Sequence, residues 1–251
     1  FANGGDQVVV FRLSDNTVIA EVDYEDSTAN FPSQTSTKTD GRSLSLIDPS
    51  LDESDGGNWI NASIPFGDSG HGTPGSANRI AWQPEDVLVS EVQSNPPPGG
   101  EPAAEFFELV NQDTTGPIDL SGLIVSDDKS NTFVISDQPG KIVSGGPQVV
   151  HIDANGVIVF GNSRGSATGV DNTYSDTFGA DVTGYDYSNS WTLTNSTDAV
   201  RIIRQLGNGD TIVIHGMGYT STEEGKSWAL TDLTDTQTYS QQTPNPTIKP
   251  E

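Results

Sequence analysis

The chain repeats part of itself, and one copy is shorter than the other. Gly41-Arg42-Ser43-Leu44-Ser45-Leu46-Ile47-Asp48 matches Gly225-Lys226-Ser227-Trp228-Ala229-Leu230-Thr231-Asp232 at a constant offset. Upstream, Asn3-Gly4-Gly5-Asp6-Gln7-Val8 matches Asn195-Ser196-Thr197-Asp198-Ala199-Val200. Downstream, Thr73-Pro74-Gly75 near Asn78 echoes Thr243-Pro244-Asn245-Pro246. Three blocks in one order identify an internal repeat, which constrains the fold more than any local propensity does.

The segments between the blocks have the period of strands. Gln7 to Leu13 and Val18 to Tyr24 flank an Asp15-Asn16 turn. Val200 to Gln205 and Ile212 to Ile214 flank Gly207-Asn208-Gly209-Asp210, whose residues supply positive φ cheaply. Further strands are expected at Val87–Val92, Glu105–Asn111, Ile118–Asp127 and Thr132–Ile135. Gln148–Asp153 should meet Val157–Phe160 as a hairpin across Ala154-Asn155-Gly156. No stretch sustains a 3.6-residue apolar period, so helix is a minor element. The strands preceding the second copy have no counterpart before the first. The expected organisation is therefore residues 1–80 as the C-terminal half of a unit, 81–86 as a linker and 87–251 as a complete unit.

The quoted runs "VLVSEV", "EFFELVN" and "IDLSGLIVSDD", in that order, resemble the opening strands of a lamin tail domain. "GKSWALTDL…YSQQTPNP" is similar to the close of its bacterial members, as is "GRSLSLIDPSLDESDGGNWINAS…GTPGSAN". Leu123 stands where the family has an aromatic, and residues 161–190 are longer than usual there. The resemblance implies an all-β, immunoglobulin-like β-sandwich in two tandem units, the first truncated at its N-terminal side. It also implies a non-catalytic accessory part of an extracellular or cell-surface bacterial protein. Short alternating strands with turn signals agree with such a sandwich. Phe106, Leu109, Leu120, Leu123, Val200, Ile202 and Leu230 are the core expected of it, with Trp228 packing.

The composition limits the chemistry. Thirty-five acidic against eleven basic residues give a net charge of −24, which repels phosphate backbones and argues against nucleic-acid binding. No cysteine is present, so disulfides and thiolate metal sites are excluded. No apolar run reaches the ~20 residues of a membrane span. The chain opens at Phe1 with neither Met nor leader, as a fragment or processed product would.

Gly67-Asp68-Ser69-Gly70-His71-Gly72 spells the nucleophile motif of serine proteases. A Ser nucleophile needs a His base held by a carboxylate. The only other histidines are His151 and His215, and none precedes Ser69. The run reads as a loop, and no catalytic residues are assigned. Glu105 and Glu108, three apart on a strand, point to opposite faces and cannot share one bond. No cofactor is required by any motif. Calcium is the one cofactor to weigh, with Asp48, Asp52 and Asp55 as its ligands in the Asp48–Asn58 loop. Asp119, Asp127 and Asp128 form a weaker cluster. Turn formation is the alternative for every one of these.

Two functions compete. In one the chain is a structural, protein-interaction module completed by strand pairing with another chain or another part of its parent protein. In the other it is an accessory module of a secreted hydrolase. There Tyr174, Phe178, Tyr185, Tyr187 and Trp191 would form an exposed platform for a polysaccharide or extracellular nucleic acid.

Overall fold

The computed structural model describes residues 5–25, 31–32, 41–68, 70–97, 105–135, 150–161, 184–187 and 191–242. Nearly every regular element among them is a strand, the exception being one 3-10 turn at Gly56–Asn58. In chain order the first strands are β1 (Gly5–Arg12), β2 (Thr17–Glu25), β3 (Leu44–Leu46), β4 (Trp59–Asn61), β5 (Pro65–Phe66) and β6 (Gly70–His71). The next are β7 (Leu88–Asn95), β8 (Phe106–Val110), β9 (Ile118–Asp119), β10 (Ile124–Ser126), β11 (Thr132–Val134) and β12 (His151–Ile152). Then come β13 (Val157–Gly161), β14 (Gly184–Asp186), β15 (Asp198–Gln205), β16 (Thr211–Tyr219), β17 (Lys226–Asp232) and β18 (Asp235–Gln242).

Two sheets build the main body. One has six strands in the order β14-β13-β8-β7-β17-β18, the other four in the order β11-β10-β15-β16. Their inner faces close on one core that includes Val89, Val92, Phe107, Leu109, Leu120, Leu123, Val200 and Ile202. This is the aligned sandwich in which alternate residues of each sheet interdigitate. Phe107 and Phe160 stack with centroids 4.6 Å apart, and Trp191 meets Phe107 edge-on at 5.6 Å. Aromatic pairs at such separations favour these geometries over face-to-face eclipsing.

Several expectations are corrected. Phe106 is buried but lies outside the inter-sheet core. Leu230 is only half-buried near the end of β17, while Trp228 packs against the core as expected. The turn at Ala154-Asn155-Gly156 does not join a hairpin: β12 pairs with β9, and β13 with β8. A two-residue apolar signal beside a tight turn cannot say which sheet each strand enters. Within 161–190, β14 adds parallel to β13.

Residues 41–86 dock on the sandwich. β3 pairs with β4, and Ile47, Ile60 and Ile80 form a small core of their own, with Leu51 and Trp82 against it. Ala81, which opens the expected linker, and Val87, just beyond its end, are completely buried. Asp119 fastens the junction. Its Oδ2 accepts from the Ser63 amide at 2.7 Å and its Oδ1 from the Ser121 amide at 2.8 Å. Its backbone amide donates to the Arg79 carbonyl at 2.8 Å, and its carbonyl accepts from the Ala81 amide at 3.0 Å. The Gly207 amide donates to Asn58 Oδ1 at 3.0 Å, and a Cβ on Gly57 would sit 2.6 Å from Gly207 Cα. Glycine is needed where two backbones approach so closely.

Arg204 closes the seam from beneath. Its side chain is buried, donating from Nε (3.1 Å) and Nη2 (2.9 Å) to the Ala81 carbonyl and from Nη1 (2.7 Å) to the Ser121 carbonyl. Burial brings its pKa down to about 10, opposed by the charges of Asp119 and Asp86, so it remains a cation at neutral pH. Arg204→Met keeps the stem and strands both carbonyls without donors. It should lower stability by about 3 kcal/mol, read from the urea midpoint of the main transition.

Candidate interaction surface

The repeat seen in sequence is also a repeat of hairpin geometry. β1 pairs with β2 as β15 pairs with β16: Asp6 faces Tyr24 and Asp198 faces Tyr219. Val8 faces Val22 where Val200 faces Met217, and Arg12 faces Thr17 where Arg204 faces Ile212. Each first strand breaks register at the same step, Val10/Phe11 in one and Ile202/Ile203 in the other. A bulge inserts one unpaired residue, here Ile19 and Ile214, and such features are placed by design of the strand rather than by defect.

The two hairpins differ in what covers them. Val200, Ile202 and Ile214 are 0, 0 and 1% exposed in the sandwich core. Their counterparts Val8, Val10 and Ile19 are 39, 52 and 61% exposed. The opposite face carries Val9, Phe11 and Val18, also exposed, with Leu13 at the tip. Among the described residues, β1 and β2 form a two-stranded sheet that pairs with nothing else. A lone hairpin is at best marginally stable in water. Large apolar side chains left in water on both faces mark an interaction site. Sequence supplied these strands, but not the contrast in exposure between paired copies.

The residues proposed for chemistry take other roles. Asp48 Oδ1 accepts from the Ser50 amide at 2.7 Å, Asp52 Oδ1 from the Ser54 amide at 2.9 Å and Asp55 Oδ1 from the Gly57 amide at 3.0 Å. Each carboxylate thus caps its own turn. Among the described residues no three His, Cys, Asp or Glu side chains converge as metal ligands. Asp127 likewise accepts from the Lys129 and Asn131 amides, while Asp128 pairs with Arg201. Tyr174, Phe178 and Ser69 lie outside the described residues, as does the side chain of Tyr185, which sits in β14 opposite Phe160. Tyr187 and Trp191 are corrected: both are buried in the aromatic core, their rings 5.2 Å apart, and cannot serve as an exposed platform. His71 belongs to β6, its amide donating to the Gly41 carbonyl at 2.7 Å.

Sequence reasoning missed the burial of three ionisable groups, Glu91, Glu108 and His215. Glu91 and Glu108 face one another across β7 and β8, and both are buried. The Ser227 hydroxyl bonds Glu91, and Ser90 Oγ lies 2.6 Å from Glu108 Oε1. Burial, offset by the Ser90 bond and reinforced by the Glu91 charge, pushes the Glu108 carboxyl up to about 8. On the other sheet, His215 Nδ1 accepts from the Val89 amide at 3.0 Å and Nε2 donates to the Thr236 carbonyl at 3.1 Å. That pairing requires a neutral ring, and burial lowers its pKa against the pull of the Thr236 bond and Glu85. A single strand carries no sign of what lies opposite it, so none of these burials was legible beforehand.

These groups give opposite pH slopes. Glu108 keeps its proton in the fold but loses it in the unfolded chain above its ordinary 4.5. The native state therefore holds the extra proton, and stability falls as pH rises from about 4.5 to about 8, by up to ~1.4 kcal/mol per unit. His215 contributes stability above its ordinary 6.5 that is lost as pH falls through its lowered folded value. Glu108→Gln should flatten the alkaline loss and exceed the parent chain in urea midpoint at pH 8.5. A variant that keeps the parent slope would assign that loss to another group.

No helix among the described residues is long and apolar enough to cross a membrane. Comparison with curated proteins gives no match. The family model of the lamin tail domain matches residues 81–243, a span that opens at the Arg204-bound residue Ala81 and takes in every strand of both sheets. Lamin tail domains are non-catalytic, immunoglobulin-like protein-interaction modules. The chain belongs to the lamin tail domain family.

Proposed function

We propose that the chain is a non-catalytic structural module that acts outside the cell, at a surface or in a filament, and assembles by strand pairing at the β1–β2 hairpin. The observation that carries this reading is the exposure of Val8, Val10 and Ile19, whose equivalents fill the sandwich core. An edge strand presents a row of unpaired N–H and C=O groups, a ready template for another strand. Along Val8-Val9-Val10-Phe11 no charge or proline blunts that edge. Strand addition supplies main-chain hydrogen bonds for affinity and alternate side chains for specificity. The acidic surface and the absence of cysteine suit an exported, soluble partner, and family membership supports protein interaction over catalysis.

Among the described residues the hairpin pairs with no strand of the sandwich, so exposed positions on it can be altered without removing a strand pair of the main sheets. The purified chain should associate reversibly at micromolar concentration by light scattering. Val10→Lys with Ile19→Lys should abolish that association and leave the main urea transition where it was. Equal, monomeric masses for parent and variant would sink the reading.

A further inference from the structure

Three Asn-Gly pairs occur in the chain, and two of them lie among the described residues, Asn155-Gly156 and Asn208-Gly209. Such a pair can react with itself, because glycine has no Cβ to shield its amide nitrogen from the preceding side-chain carbonyl. The two turns are alike in most respects that bear on this reaction. Each asparagine is exposed to water. Each glycine amide donates across its turn, Gly156 to the Asp153 carbonyl at 2.8 Å and Gly209 to the Leu206 carbonyl at 2.9 Å.

They differ in the side chain that would be attacked. Asn208 is held at both ends: its Nδ2 donates to Asp210 Oδ2 at 2.8 Å, and its Oδ1 accepts from the Asp210 amide at 2.9 Å. Asn155 donates from its main chain to the Asp113 carbonyl at 3.1 Å, but its side-chain amide has no hydrogen-bond partner among the described residues. Its backbone is left-handed (φ 53°) at the third position of the turn, a conformation that asparagine tolerates better than most residues.

We propose that Asn155 is a site of spontaneous covalent modification, passing through a cyclic imide to aspartate and isoaspartate, while the fold spares Asn208. The Gly156 nitrogen attacks Asn155 Cγ and gives up its proton to solvent base. The Cγ–Nδ2 bond breaks, and that nitrogen leaves as ammonia. Water then opens the imide at either carbonyl. One route gives aspartate with an ordinary backbone; the other gives isoaspartate, whose main chain runs through the side-chain carbons. In sum, one amide and one water become one carboxylate and one ammonium, with no oxidant, reductant or cofactor. For Asn208 the bonds to Asp210 must break before its carbonyl can be reached, which slows that residue by roughly tenfold or more.

The products act at a defined place in the fold. The turn is anchored on buried Asn111, whose amide donates to the Gly156 carbonyl at 3.0 Å and whose Nδ2 donates to the carbonyls of Ile152 and Asp153. Isoaspartate lengthens the chain between the Asn155 amide and the Gly156 carbonyl, so the bonds to Asp113 and Asn111 cannot both be kept. The adjoining rung of β13 on β8, where Val157 faces Val110, then loosens. Aspartate keeps the backbone but adds a charge close to Asp153 in a chain already at −24.

The test is a peptide map of the full chain, aged in warm, mildly alkaline buffer and followed by mass spectrometry, both folded and in concentrated urea. In the folded chain Asn155 should gain one dalton, as a mixture of aspartate and isoaspartate, at least about tenfold faster than Asn208. In urea the two rates should converge, because the bonds to Asp210 are gone and both pairs share the same local chemistry. Asn155→Gln, whose longer side chain disfavours the ring, should remove the modification. The isoaspartate-bearing fraction, separated by chromatography, should unfold at lower urea than the unmodified chain. Equal rates in the folded chain, or a faster Asn208, would overturn the assignment. So would protection of both residues in the fold, since the Gly156 bond to Asp153 would then be what decides the outcome. A difference that persists in urea would trace to the sequence and not to the fold, and overturns it equally.

Discussion

The guanidinium of Arg204 holds the molecule's two parts in one body. It sits on a core strand, in a place where an aliphatic side chain would satisfy packing, yet it directs its donors at the carbonyls of Ala81 and Ser121. Those carbonyls belong to the seam between residues 41–80 and the sandwich, where backbone polar groups must find partners out of water. Asp119 works from the opposite side, accepting from the Ser63 and Ser121 amides. The pair does not form a salt bridge; each satisfies backbone, and each offsets the field of the other. Removing either charge would leave the other buried and uncompensated, so the seam is more dependent on them than on Ile47, Ile60 and Ile80.

Much of the sandwich was legible because its strands are short, alternating and punctuated. The repeat predicted the β1–β2 and β15–β16 hairpins, and the structure adds that their register and bulge coincide. What stayed hidden was long-range. Ala81 to Asp86 reads as a connector between blocks, since nothing local announces that Arg204, more than a hundred residues later, will bind the Ala81 carbonyl. Tyr187 and Trp191 looked like surface aromatics because their Gly- and Asp-rich context looks exposed. Their burial is decided by Phe107 and Phe133 across the core. Asp48, Asp52 and Asp55 gave the composition of a cation loop, but each sits two residues before the amide it caps. That spacing was in the sequence and is the signal that favours turns.

Burial on both faces explains the chemistry of the central strands. β8 is buried along its whole length, and β7 nearly so. Glu91 and Glu108 therefore face one another on the side of the six-stranded sheet away from the main core, where two negative charges could not both persist. The raised pKa of Glu108 resolves the conflict by protonation, and two serine hydroxyls complete the polar layer. A carboxylic acid kept neutral in this way resembles a catalytic acid in its titration alone. Its surroundings are hydrogen-bonded strand neighbours, which is why the pair supports structure in this fold.

The net charge of −24 bears on the same hairpin. An unblunted apolar edge such as Val8 to Phe11 is the kind of segment from which aggregates grow. A strongly acidic surface opposes this, because copies of the chain repel one another before their edges meet. The repulsion is screened over roughly 8 Å at physiological ionic strength, so it acts on approach and not within a formed strand pair. The acidity of the surface is thus a counterweight to the apolar edge that Val8 to Phe11 expose.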